Sequence, residues 1–125
     1  MQAGSTTMYS AQLLDHFEHP RNSGELPGAT ARVRIENPAC GDVLELAANF
    51  VDGHIADLRF RAKGCVPAMA CASAITELAK GKSLDEAATI DREDVTRAVG
   101  GLPPASSHAA QLAVDGLRAV IRAAK

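Results

Sequence analysis

Apolar and polar residues follow two different periods along this chain, and the change of period divides it. In "YSAQLLDHFEHP", Leu13, Leu14 and Phe17 recur at helical spacing and Pro20 ends the run, which predicts a short amphipathic helix. From residue 31 the period falls to two, and "ARVRIE" sets Val33 and Ile35 against Arg32, Arg34 and Glu36. The runs "VLELAANFV" and "HIADLRFRA" flank Asp52-Gly53, a pair that tolerates the left-handed φ a two-residue hairpin requires. Three antiparallel strands are expected. The helical period then returns in "PAMACASAITELAK", with Pro67 near its start and Gly81 just past its end. "SLDEAAT" follows, with Ser83 and Glu86 at capping-box spacing, and then a short helix near Asp91 to Val99. Gly100, Gly101, Pro103 and Pro104 force a break before a final helix, whose apolar stripe is Ala109, Leu112, Ala113, Leu117, Val120 and Ile121. The expected fold class is α+β, a three-stranded antiparallel sheet with an N-terminal helix and several C-terminal helices packed on it.

Composition narrows the function classes. A chain of 125 residues buries roughly two-thirds of its unfolded surface in a single core, so we expect a flexible tail over 1–7 and one domain over 8–125. Thirteen basic against fifteen acidic residues give a formal charge of −2, which argues against nucleic acid or an anionic membrane as a partner. No apolar run approaches the roughly 20 residues of a transmembrane helix. "MQAGSTT" has neither the charged nor the apolar region of a signal peptide. A cytoplasmic protein is expected, and in a reducing compartment three cysteines serve as ligands, nucleophiles or core residues more often than as bridges.

The chemistry gathers at element ends. "NPACGD" displays Cys40 between a proline turn and Asp42, in the connection from the first strand to the second. Cys65 lies in "AKGCVPA", at the start of a helix whose dipole and free N–H groups favour a thiolate. His108 opens the last helix after "GLPPASS". Two thiolates, a carboxylate and an imidazole suit a four-coordinate zinc or iron site. Each residue also has an ordinary structural explanation: cysteines as small core residues, Asp42 capping its own turn, His108 as a solvated first-turn side chain. Their joint placement at three chain breaks favours the metal site. Cys71 lies six residues, more than a turn and a half, beyond Cys65, and is expected to pack in the core rather than join that site.

Several stretches together resemble one family. "YSAQLLDHFEHPRNSGEL", "NPACGDVLEL", "DGHIADLRFRAKGC", "ASAITELAKGKSLDEA" and "GLPPASSHAAQLAVDGLRAVI" are similar, in order and spacing, to the U-type iron-sulfur cluster assembly scaffolds, the IscU/SufU/NifU N-terminal family. The resemblance implies a non-enzymatic scaffold or carrier that holds a nascent 2Fe-2S cluster or iron, or zinc in its place, and transfers it. The implied ligands are Cys40, Asp42, Cys65 and His108, and the implied partners are a cysteine desulfurase and recipient apo-proteins. Two departures stand out. Where the family has its third cysteine, directly after the histidine, this chain has Ala109, and the family's "LPPVK" reads "LPPAS", so contact with a heat-shock chaperone is expected to be weak. The alternatives are a zinc-binding sulfur acceptor or regulator in the same pathway and, more remotely, a thiol enzyme pairing a cysteine with His108.

Overall fold

The structure, a computed structural model, describes residues 9–38 and 41–124. The expected tail over 1–7 and Cys40 lie outside the described residues. The element order is α1 (Ala11–Glu18), β1 (Ala31–Asn37), β2 (Asp42–Val51), β3 (His54–Lys63), α2 (Val66–Ala79), α3 (Leu84–Ala88), α4 (Arg92–Ala98) and α5 (Ser107–Ala123), with a 3-10 turn at Pro104–Ser106 before α5. This is the α+β arrangement expected from the two periods.

Local chemistry sets the boundaries. Ser10 caps α1 by accepting from the Leu13 N–H at 2.9 Å. Ser83–Glu86 and Asp91–Asp94 form reciprocal capping boxes on α3 and α4. Asp52 and Gly53 both have left-handed φ, 51° and 74°, so the β2–β3 turn matches the twist of its strands.

The sheet is a meander in the order β1-β2-β3, antiparallel throughout. On β2 the even positions Leu44, Leu46 and Ala48 are buried beneath the helices, and Val33 and Leu58 are among their inner-face partners on the flanking strands. A bulge leaves Ala56 unpaired, because Phe50 meets Ile55 while Asn49 meets Asp57. The extra residue restores parity, so Ile55 and Leu58, three apart, both reach the core. The core lies between this inner face and α1, α2, α4 and α5.

Two helix details refine the sequence expectation. On α1, Leu13 and His16 are the buried pair, while Leu14 is half-exposed, because the contact with α2 is centred one residue away from the face that apolar spacing alone selects. Gly116 of α5 sits against the sheet, and a Cβ there would come within 2.8 Å of Leu44 Cδ2. No helix among the described residues is long and apolar enough to cross a membrane.

Candidate metal centre

Antiparallel register creates the site. Asp42 is the first residue of β2, on the inner face, and β3 ends opposite it just before Gly64 and Cys65. Gly64 has φ +143° and no side chain, and a Cβ there would lie 2.1 Å from Asp42 Oδ1. The missing atom is the room the carboxylate occupies. Asp42 is 1% exposed, and its Oδ1 accepts from the Cys65 backbone N–H at 3.0 Å. Its Oδ2 accepts from the Cys65 thiol at 3.6 Å. Asp42 therefore fixes Cys65, the N-cap of α2, whose side chain makes no capping bond of its own.

His108 arrives from the first turn of α5. Its Nε2 lies 3.3 Å from Asp42 Oδ2, yet it is buried and has no hydrogen-bond partner among the described residues. The two atoms are within ion-pair distance without hydrogen-bond alignment. A buried imidazole nitrogen without a partner carries a desolvation cost that a metal ion would remove. One ligand atom each from Asp42, Cys65 and His108 lies within 4.8 Å of the others. Metal–ligand bonds of 2.0–2.3 Å give a tetrahedron edges of about 3.3–3.8 Å, so separations of 3.3 and 3.6 Å fit donors around one ion.

The Cys65 thiol is exposed, yet its pKa is raised, first by desolvation and then by the Asp42 carboxylate. The Ala68 N–H in the first turn of α2 opposes this but does not win. Here the structure departs from the thiolate expected of a helix start: desolvation, with Asp42 adding to it, outweighs the helix amides. A cation placed among the three donors reverses that balance, because it replaces the proton.

Cys71 is fully buried and its thiol is pushed up to about 12, chiefly by desolvation, as suits a core residue. Ala109 is 1% exposed and belongs to the core cluster. The sequence reading did not single out Gly64, although a glycine between a strand end and a cysteine signals close backbone approach. It also missed His16, whose buried ring meets Ser73 Oγ at 2.8 Å and so ties α1 to α2.

Known proteins resemble this chain in sequence and in fold. The family described as NifU-like N terminal domain matches residues 8–124. The chain is 42% identical over 114 residues to the iron-sulfur cluster assembly scaffold protein IscU 1 of Archaeoglobus fulgidus, covering 91% of this chain and 74% of that protein. It is also 42% identical over 117 residues to the scaffold protein IscU of Escherichia coli, covering 90% and 91%. Among solved structures, a protein described as an iron-sulfur cluster assembly scaffold of the SUF system from Fervidobacterium islandicum shares the fold, with a TM-score of 0.79 at 21% identity, over 94% of this chain and 99% of that one.

Proposed function

Because this chain belongs to the family of NifU-like N-terminal domains, we propose that it is an iron-sulfur cluster assembly scaffold whose cargo, a 2Fe-2S cluster or iron, is held at Asp42, Cys65 and His108 together with Cys40. The observation that carries the reading is the convergence of a thiol, a carboxylate and a buried, unpartnered imidazole nitrogen within 4.8 Å. Cys40 enters on its sequence position, two residues before Asp42. A cysteine desulfurase supplies the sulfur and recipient apo-proteins take the cargo, in the cytoplasm, with only weak chaperone contact through "LPPAS".

The donor chemistry suits transient holding. Thiolate is a soft ligand that iron and sulfide favour, whereas carboxylate and imidazole are harder, so a mixed set releases more readily than a closed four-cysteine site. The same set also suits zinc, and Ala109 in place of a third thiol favours zinc as a competing occupant. A thiol enzyme is disfavoured, because burial and Asp42 hold the Cys65 sulfur as a thiol when a nucleophile needs the thiolate.

Anaerobic reconstitution of the full chain with ferrous iron and sulfide, followed by visible absorption and metal analysis, tests the reading. We expect sulfide-dependent charge-transfer bands in the wild type and their loss in Cys65→Ser. Zinc uptake with no such bands would replace the scaffold with a zinc protein, and neither metal bound would overturn the site.

A further inference from the structure

The outer face of the sheet, away from the helices, carries four arginines in register. Arg34 and Arg61 flank Glu45 across the three strands, and Arg32 and Arg59 flank Ala47 one rung further on. Neighbouring rungs lie about 6.8 Å apart along the strands, and the outer strands about 9.6 Å apart across the sheet. A cleft of about 340 Å³ runs between them, bounded at one end by Gly24 and Glu25, and a second cleft continues it toward Lys63.

The two rungs differ in one respect. In the first, β2 supplies its own carboxylate, and Arg34 Nη1 lies 3.7 Å from Glu45 Oε2. In the second, β2 supplies only the Ala47 methyl, leaving the space between two guanidinium groups without a carboxylate from the central strand. Arg32 donates to the Leu26 carbonyl at 2.7 Å, and Arg59 to the Glu25 carbonyl at 3.4 Å. Backbone contacts thus orient both side chains, while most of their ten N–H donors have no hydrogen-bond partner among the described residues. The acids on this face are Glu25 on Arg61, Glu36 and Glu45 on Arg34, and Asp57 on Arg59 and Lys80.

We propose that this groove is a docking site for an acidic, extended segment of a partner protein, with one carboxylate seated over Ala47 between Arg32 and Arg59. An extended chain repeats its side chains on one face every 6.8 Å or so, the same repeat as the arginine rungs, so a segment with acids at alternate positions meets both rungs. A groove longer than one small anion, with cations on both walls, selects such a segment. The interspersed carboxylates repel a uniformly charged polyanion such as an oligonucleotide.

The test is an amide NMR titration of the full chain with a capped peptide alternating glutamate and serine, beside its glutamine analogue and a thymidine oligonucleotide of equal charge. We expect shifts at the Gly24 and Ala47 amides with the glutamate peptide alone, weakening as salt is raised. Joint Arg32→Ala and Arg59→Ala substitution should weaken that affinity at least tenfold, and Arg32→Gln with Arg59→Gln should match it while keeping side-chain length. Arg92→Ala with Arg118→Ala, on exposed helix faces, should leave it unchanged. Absence of shifts at low salt, equal binding of the oligonucleotide, or unaltered affinity in the Arg32 and Arg59 variants would each overturn the proposal.

Discussion

Asp42 stands where it does because Gly64 has no side chain. The carboxylate fills the space a Cβ would take and from there holds the Cys65 amide and faces His108. Gly64→Ala should therefore cost roughly 2–4 kcal/mol, through φ strain and a clash with the Asp42 side chain and with its Cα, 3.0 Å away. Cobalt(II) binding, read by its thiolate absorption, should fall with it; a stable variant with normal cobalt spectra would show that Asp42 has another way to sit. Ala109 marks the opposite case, a missing donor. Ala109→Cys should lengthen the lifetime of a reconstituted cluster, since thiolate is a stronger ligand for iron than imidazole or carboxylate; decay at the wild-type rate would mean that a side chain at 109 does not reach the cargo. His16 makes the fold sensitive to mild acid. Burial, seconded by Arg21 and opposed by Glu77 and Asp15, lowers its pKa below the ordinary 6.5. The unfolded chain then binds more protons than the folded one between the two values, so stability is complete above about pH 6.5 and declines as pH falls below it. Urea midpoints measured from pH 7.5 to 5 should show this fall, and His16→Gln should flatten it.

Elements position these residues through parity and close approach. The bulge at Ala56 lets β3 keep Ile55, Leu58 and Phe60 inward while Arg59, Arg61 and Lys63 point out. That spacing of three and then two was present in "HIADLRF" but was not separated from simple alternation, because a bulge needs the partner strand to define it. α5 reaches the sheet at Gly116, where an added methyl would come within 2.8 Å of Leu44 Cδ2 and 3.1 Å of Leu46 Cδ1. Gly116→Ala should destabilise the chain by about 1–3 kcal/mol despite the better helix propensity of alanine. A rise in the urea midpoint would mean the two leucines repack without cost.

At the scale of the whole molecule, the donors are contributed by segments centred on residues 42, 65 and 108, so the site exists only when the sheet, α2 and α5 have closed. A metal that binds this state alone should raise the unfolding free energy by about 2.7 kcal/mol at a free concentration one hundred times its dissociation constant. Thermal melts with and without zinc check this, and the shift should vanish in Cys65→Ser. The fold class, all three strands and the main helices were legible because period and punctuation agree in each, as in the Asp52-Gly53 turn and the Ser83 cap. The grouping of Asp42, Cys65 and His108 was legible as three element ends and through the family resemblance, but not as a geometry. What was not legible was non-local: the ring of His16 pressed on Ser73, the space left at Gly64, and the raised pKa of Cys65, where desolvation by the folded surroundings, with Asp42 adding to it, outweighs the helix that follows.

His108 and Gly116 ride on the same rigid helix of 17 residues. Sliding α5 by one turn moves every atom on it by about 5.4 Å, more than the 4.8 Å that spans the donor set. A displacement of that size therefore takes His108 out of reach of Asp42 and Cys65. A variant that loosens the Gly116 contact should leave the intrinsic affinity of a closed molecule unchanged and multiply the apparent affinity by the fraction of molecules closed at any moment.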